Sequence, residues 1–299
     1  MSEALQKTIG FGYAQVGGVQ IHYAKAGNGP RLVLLLHGFP EFWYSWRHQL
    51  VDLAASGEFT VVAPDMRGAN LSDKPANVAD YHVSNLVDDV IGLIHHLGFE
   101  KAAVVGHDWG AGVAWGTARF HPETVERVAA LQVPPPDIWK KNLGIKQLLA
   151  SWYMFFFRIP KVPEFLLKAN DFEGMARALR NSTAVPGVIT DENITVYKEA
   201  WSQPGAVTGG LNVYRANIMK RIFGKPMDLP NIKVPTLFIY GEQDHAILPS
   251  TVEGVAEVVS GEYEEIRIPE SAHWVQVEAR EKVSKALLKF LGGPDKEHQ

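Results

Sequence analysis

The stretch Ala102-Ala-Val-Val-Gly-His-Asp-Trp-Gly-Ala-Gly112 constrains the fold more than any other in this chain. An apolar run ends in Gly106, Asp108 stands between two glycines, and small residues follow at once. The pattern reads as a strand, a sharp turn and a helix. Gly106-His-Asp-Trp-Gly110 has the spacing of the nucleophile elbow G-x-S-x-G, with aspartate in the place of serine. Such a turn holds its middle residue in a strained conformation, and small neighbours let the chain pass close by. The Asp108 side chain is thereby raised at the C-terminal edge of a sheet. It stands at the start of a helix, whose free N–H groups favour negative charge.

The rest of the chain supplies the sheet. Gly10 to Ala26 alternates and contains Gly17-Gly18, as an antiparallel hairpin does. Arg31-Leu-Val-Leu-Leu-Leu36, Phe59-Thr-Val-Val-Ala63, Ala102-Ala-Val-Val105 and Val128-Ala-Ala-Leu-Gln-Val133 are nearly continuous apolar runs, expected of strands buried on both faces. Helical stretches separate them: one through Trp46 and Leu50, one from Val83 to Leu97, and one after the elbow. Strands alternating with helices predict a parallel α/β sheet with right-handed crossovers. The pattern changes at Pro134-Pro-Pro136 and stays helical to about Phe223, rich in Trp139, Trp152, Tyr153, Phe155, Phe156, Phe157, Trp201 and Tyr214. Strands resume with Thr236-Leu-Phe-Ile-Tyr240 and Tyr263-Glu-Glu-Ile-Arg-Ile268, and a closing helix is expected over Gln276 to Leu291. The expected division is a discontinuous core, residues 1–133 and 224–299, with a helical insert at 134–223. An insert leaving the C-terminal strand edge is well placed to cover a site there. Gly292 to Gln299 reads as a frayed tail.

Composition narrows the chemistry. The 299 residues include no cysteine, which excludes disulfides, thiol catalysis and cysteine-ligated metal. A formal net charge of −4 suggests neither nucleic acid nor an anionic membrane as partner. No apolar run approaches the roughly 20 residues needed to span a bilayer. Met1 to Lys7 shows no apolar signal core, so a cytoplasmic protein is expected. His95-His96 has no partner carboxylate pattern, so no metal site is expected.

An aspartate at a strand end can simply cap the next helix. The flanking Gly106 and Gly110 specify an elbow instead, and no serine has the G-x-S-x-G frame. If the elbow is used, its nucleophile is a carboxylate. A carboxylate attacks amides poorly but can displace a leaving group at an sp³ carbon. The product is an ester of the enzyme, and turnover then needs water to attack its carbonyl carbon. That step requires a general base, an orienting acid and an oxyanion hole. Asp244 in Gly241-Glu-Gln-Asp-His245 and His273 in Glu270-Ser-Ala-His-Trp274 each follow a strand, on the same edge as Asp108. Singly, Asp244 could cap a turn and His273 could be a surface loop residue. Together with the elbow they complete the order nucleophile, acid, histidine. His245 is adjacent to Asp244 and free to point away. The oxyanion hole would be the backbone N–H groups of Phe39 and Trp109. Among the insert's aromatics, Trp152, Phe155, Phe156 and Phe157 are expected in the core. Tyr153 and Tyr214 could instead turn an O–H toward a developing alkoxide.

These residues resemble an α/β-hydrolase of the soluble epoxide hydrolase family, over nearly the whole chain. His37-Gly-Phe-Pro-Glu-Phe-Trp-Tyr-Ser-Trp-Arg47 is similar to that family's oxyanion-hole segment. Asp65-Met-Arg-Gly68 and Gly106-His-Asp-Trp-Gly110 resemble the next two motifs. Tyr153-Met-Phe-Phe-Phe-Arg-Ile-Pro160 and Leu211-Asn-Val-Tyr-Arg215 look like the cap segments carrying two ring-opening tyrosines. The resemblance implies an α/β-hydrolase fold with helices on both faces of the sheet and a helical cap. It implies hydration of an epoxide to a vicinal diol, with Asp108, Asp244 and His273 as a triad and Tyr153 and Tyr214 on the epoxide oxygen. No metal or organic cofactor is expected. A small, mainly apolar epoxide is the expected partner, and a homodimer is compatible with it.

Two rivals stand beside this. Haloalkane dehalogenases share the elbow and His-Gly-x-Pro, and commonly cradle halide with the tryptophan after the nucleophile plus an Asn or second Trp. Here Trp109 is present but Phe39 occupies the loop position. Fluoroacetate dehalogenases hold a carboxylate with arginines near the nucleophile, where this elbow helix offers Trp109, Ala111 and Gly112. The other rival, from a different class, is a hydrolase-like fold that only binds a ligand.

Overall fold

The computed structural model describes residues 8–224 and 229–292. The frayed tail expected at Gly292 to Gln299 lies, apart from Gly292, outside the described residues. Eight strands form one sheet: β1 (Gly10–Val16), β2 (Val19–Ala26), β3 (Arg31–Leu36), β4 (Phe59–Pro64), β5 (Ala102–His107), β6 (Val125–Leu131), β7 (Thr236–Gly241) and β8 (Tyr263–Ile268). Their order is β1-β2-β4-β3-β5-β6-β7-β8. The β1–β2 hairpin joins antiparallel, and β2 meets β4 antiparallel. From β4 to β8 all pairings are parallel.

The continuous apolar runs work because both faces of the sheet are covered. Leu32, Leu34 and Leu36 of β3 enter one apolar layer, while Val33 and Leu35 enter the other. The same alternation splits Ala102 and Val104 from Ala103 and Val105 in β5, and Phe238 and Tyr240 from Leu237 and Ile239 in β7. Three helices cross over between the parallel strands: α1 (Arg47–Ala54), α2 (Val83–His96) and α3 (Trp109–Phe120). Helices α2 and α3 cover the first layer through Leu86, Val90, Val113 and Trp115. Leu50 and Leu53 of α1 cover the second. Each fully buried Val or Leu in these layers contributes about 1.5–3 kcal/mol by leaving water.

After β6 come six helices without a strand among them: α4 (Pro136–Lys141), α5 (Ile145–Ala150), α6 (Trp152–Phe156), α7 (Val162–Asn181), α8 (Asp191–Ser202) and α9 (Ala206–Phe223). The helix α7 is broken at Ala169–Phe172, where Asn170, Asp171 and Phe172 take positive φ. Thr190 opens α8 with a capping box to Asn193. These helices have apolar faces in both layers: Ile138, Trp139, Tyr214 and Ile218 in the first, Met175, Tyr197, Trp201 and Leu211 in the second. The chain closes with α10 (Val275–Glu278) and α11 (Arg280–Gly292), so the expected closing helix is broken at Ala279. Val283, Leu287 and Leu291 bring α11 into the second layer beside α1.

Two expectations shift. Strand β6 starts at Val125 and ends at Leu131, because Gln132 turns out of the strand with φ 68°. Trp152, expected in the core with Phe155, Phe156 and Phe157, is 64% exposed, and those three are half-buried. On so short a helix as α6, Tyr153 and Met154 take the inward positions and Trp152 is left outside. Among the described residues no helix is long and apolar enough to cross a membrane.

Candidate active site

The elbow forms as the glycine spacing requires. Asp108 sits at φ 52° and ψ −119°, a conformation outside the ordinary regions for a side-chain-bearing residue. A Cβ on Gly106 would lie 2.2 Å from the Gly110 carbonyl oxygen, and one on Gly110 would lie 2.2 Å from that of Leu36. Both positions therefore require glycine for β5, α3 and β3 to close around the turn. The next loop imposes the same demand. A Cβ on Gly38 would lie 2.1 Å from Asp108 Oδ1, and without one the Phe39 N–H donates to that oxygen at 3.1 Å. The Trp109 backbone N–H, next along the chain, helps to hold the Asp108 pKa down. Both N–H groups predicted for the oxyanion hole thus act on Asp108.

The His37 ring holds this loop in place. Met66 N–H donates to its Nε2 at 2.9 Å, so Nδ1 carries the proton and donates to the Gly38 carbonyl at 2.7 Å. Burial pushes the His37 pKa down, consistent with a neutral ring.

His273 faces the nucleophile from the other side. Its Nε2 stands 3.7 Å from Asp108 Oδ2, an ion-pair separation too long for a hydrogen bond. Its Nδ1 donates to Asp244 Oδ2 at 2.8 Å. Asp244 is 2% exposed and fully engaged. Its Oδ1 accepts the N–H groups of Ala246 at 2.7 Å and Ile247 at 3.0 Å, and its Oδ2 also accepts Gln132 Nε2 at 2.7 Å. Burial pushes the Asp108 and Asp244 carboxyls up, but the charge of His273 outweighs it, and both lie below the usual carboxylate range. Burial likewise pushes His273 down, yet Asp244 and then Asp108 hold its pKa well above the ordinary value. His245 is exposed beside the acid and takes no part.

The two tyrosines converge on the same place. The Tyr153 and Tyr214 rings lie 6.2 Å apart, and Tyr214 meets the Trp109 indole edge-on at 5.0 Å. Burial first, and the Asp108 charge second, hold both phenols well above their usual pKa. Both are therefore protonated donors at any working pH. Arg215 ties the helix that carries Tyr214 to the end of the one that carries Tyr153. From α9 it grips the Phe157 and Ile159 carbonyls at 3.1 and 3.0 Å, and pairs with Glu164 at 2.7 Å.

All seven predicted residues, Asp108, Asp244, His273, Phe39, Trp109, Tyr153 and Tyr214, thus meet at one edge of the sheet. Several others were not visible in the sequence. Gln132 bridges Asp244 and the Gly241 N–H through a residue with positive φ. His107 Nε2 donates to the His273 carbonyl at 2.8 Å, and its Nδ1 lies 2.9 Å from Glu41 Oε2. Gln276 donates to the other Glu41 oxygen at 3.0 Å. From α5, Gln147 holds both Ala246 O and Leu248 N of the acid loop. His107 was signalled only by its place inside the elbow frame and Glu41 only by its place in the His37–Arg47 segment, while Gln132, Gln147 and Gln276 had no signal. Among the described residues no group of three or more His, Asp or Glu is arranged to hold a metal ion.

Known proteins match this chain along most of its length. A family model described as alpha/beta hydrolase fold matches residues 31–279. The AB hydrolase superfamily protein YfhM of Bacillus subtilis is 39% identical over 284 residues, covering 93% of this chain and 96% of the relative. Epoxide hydrolase 4 of Mus musculus is 35% identical, covering 92% of this chain and 77% of the relative. Among solved structures, an epoxide hydrolase of Bacillus megaterium in complex with an inhibitor superposes with a TM-score of 0.85 at 31% identity. That alignment covers 94% of this chain and 100% of the other.

Proposed function

Since the chain belongs to the epoxide hydrolase family of the α/β-hydrolase fold, we propose that it adds water to an epoxide through a covalent ester on Asp108. One observation carries this reading: the carboxylate has one oxygen on the Phe39 N–H and the other facing His273, with buried Tyr214 against Trp109 and half-buried Tyr153 beside it. Residues 134–223 act as the cap that brings those phenols to the core, which comprises 1–133 and 224–299.

Tyr153 and Tyr214 bind the epoxide oxygen. An Asp108 oxygen attacks a ring carbon from the far side, the C–O bond breaks, and the freed oxygen takes a proton from a tyrosine. The ester carbonyl oxygen is left where Oδ1 now sits, on the Phe39 N–H. Once the ester has formed, the proton held on resting His273 replaces the one the tyrosine gave, and the now neutral ring, oriented by Asp244, takes a proton from a water that attacks the Asp108 carbonyl carbon. The Phe39 and Trp109 N–H groups receive the oxyanion, a stabilisation worth about 2.7–4 kcal/mol per donor in comparable sites. Collapse releases the diol, the carboxyl proton passes to the leaving alkoxide, and His273 keeps the proton from water, which restores the resting site.

The dehalogenase alternative has less support. Phe39 offers no side-chain N–H for a halide, and the Trp109 indole packs against Tyr214. The mechanism is tested by a single turnover of styrene oxide with excess enzyme in ¹⁸O water. The first diol should carry unlabelled oxygen, with label appearing in Asp108. Label in the first diol would mean direct attack by water and would remove the ester from the reaction.

A further inference from the structure

Tyr214 and Arg221 are seven residues apart on α9, two turns along one face of the helix. Helical side chains lean toward the N-terminus, so the Arg221 guanidinium is carried back toward Tyr214. It lies over the Trp139 ring, 4.6 Å from the centroid. Phe223, two residues on, touches Phe155 at 6.4 Å, which ties this end of α9 to α6 and Tyr153. The negative charge of Asp108 acts on the guanidinium and holds its pKa up against burial.

Arg221 differs from other arginines held inside the fold. Arg67 pairs with Asp89 at 2.7 Å, Arg119 with Asp137 at 2.8 Å, and Arg215 with Glu164 at 2.7 Å. Among the described residues no hydrogen bond or ion pair engages Arg221, and its Nε is buried without a partner. Burial pushes its pKa down to about 10, so it remains charged at neutral pH. Only its Nε is enclosed without a partner, and the two Nη groups reach accessible space where a ligand's oxygens can meet them. Its donors match a carboxylate, which can accept two at once. The charge count points the same way. Asp108, Asp244 and protonated His273 sum to −1, a field that repels an anionic substrate unless a cation stands opposite.

Resting on the hydrolase reading above, we propose that Arg221 anchors a carboxylate carried close to the epoxide ring. Epoxy-carboxylates, rather than purely apolar epoxides, are then the favoured substrates. Trp139 holds the guanidinium in place, and Tyr153 and Tyr214 remain on the epoxide oxygen.

Styrene oxide and trans-3-phenylglycidate differ by a carboxylate on the ring, and the ratio of their kcat/KM values is the readout. In the wild type the ratio should favour phenylglycidate. Arg221→Met should lower the ratio by about 10²-fold, the scale for stripping a buried charge of its partner, with the loss in KM. Arg221→Lys should restore part of it, and thermal melts would establish that both variants fold. A wild type that hydrolyses styrene oxide but ignores phenylglycidate would overturn the anchor alone. So would a ratio unchanged in Arg221→Met. Turnover of neither compound by the wild type would overturn the hydrolase reading and the anchor with it.

Discussion

His273 occupies two electrostatic environments during the proposed cycle. In the resting site the Asp244 and Asp108 carboxylates together hold its proton. A general base has to be neutral, so a permanently raised pKa would block the second step. Alkylation of Asp108 converts one of the two carboxylates to a neutral ester and removes its pull. The His273 pKa therefore falls when the ester forms, and the ring becomes a base when one is needed. The sign is testable by NMR titration of His273 in wild type and in Asp108→Asn, where the amide imitates the uncharged ester. The variant should titrate at lower pH, and an equal or higher value would sink the idea. Below the lowered pKa, alkylation should continue while ester hydrolysis stalls. Mass spectrometry of acid-quenched turnovers should then find Asp108 carrying the substrate. At this scale the residue types were readable from the sequence. Their charge states were not, because each depends on neighbours from distant loops.

Element by element, the elbow was the most legible part, since its glycines are dictated by contacts within one strand–turn–helix unit. Gly110 and Gly112 look alike in the sequence, yet only Gly110 presses on a neighbouring backbone. Nothing lies within 4 Å of a Cβ placed on Gly112. Gly112→Ala should stabilise the protein by about 0.5–1 kcal/mol, since alanine loses less entropy in a helix. In a chain of this size that raises Tm by about 2 °C. Gly110→Ala should instead destabilise by at least about 1–3 kcal/mol through forced displacement of β3. Equal melting temperatures for the two variants would show that the close approach is not a constraint. Strand β6 was misjudged by three residues at its start and two at its end. Its apolar run continues past the point where Gln132 leaves the ladder, and nothing local marks that turn. Trp152 was misjudged for a related reason: a five-residue helix has no periodicity from which to read a buried face.

Across the whole molecule the helices between β6 and β7 share both apolar layers of the sheet, so they are not packed independently of it. Glu278 makes a polar connection between them. Its Oε2 accepts the N–H groups of Ala184 at 2.6 Å and Val185 at 3.2 Å from the cap, and of Ala272 at 3.2 Å. Its Oε1 accepts Trp274 N–H at 3.1 Å. Ala272 and Trp274 flank His273, so this carboxylate links cap position to base position. Glu278→Gln keeps the shape but turns an NH₂ toward N–H donors. The expected loss is about 1–3 kcal/mol of stability, the scale of a hydrogen bond to a charged group, together with a fall in kcat/KM. Unchanged melting and unchanged kinetics would show that the connection is incidental.

The sequence by itself determined the parallel sheet, the elbow with Asp108 and the order in which Asp244 and His273 follow. These rest on patterns of a few consecutive residues: apolar runs covered on both faces, and glycines where backbones touch. It also singled out Tyr153 and Tyr214 but could not aim them. They meet beside Trp109 where Arg215 joins α9 to the end of α6. Only the tertiary structure decided that Gln132 would brace the acid, that Trp152 would face outward, and that half-buried Arg221 would stand over Trp139 with no ion pair among the described residues. Each of these is a relation between segments far apart in the chain. Burial and the sign of the nearest charge give such residues their chemistry, and neither exists until the segments meet.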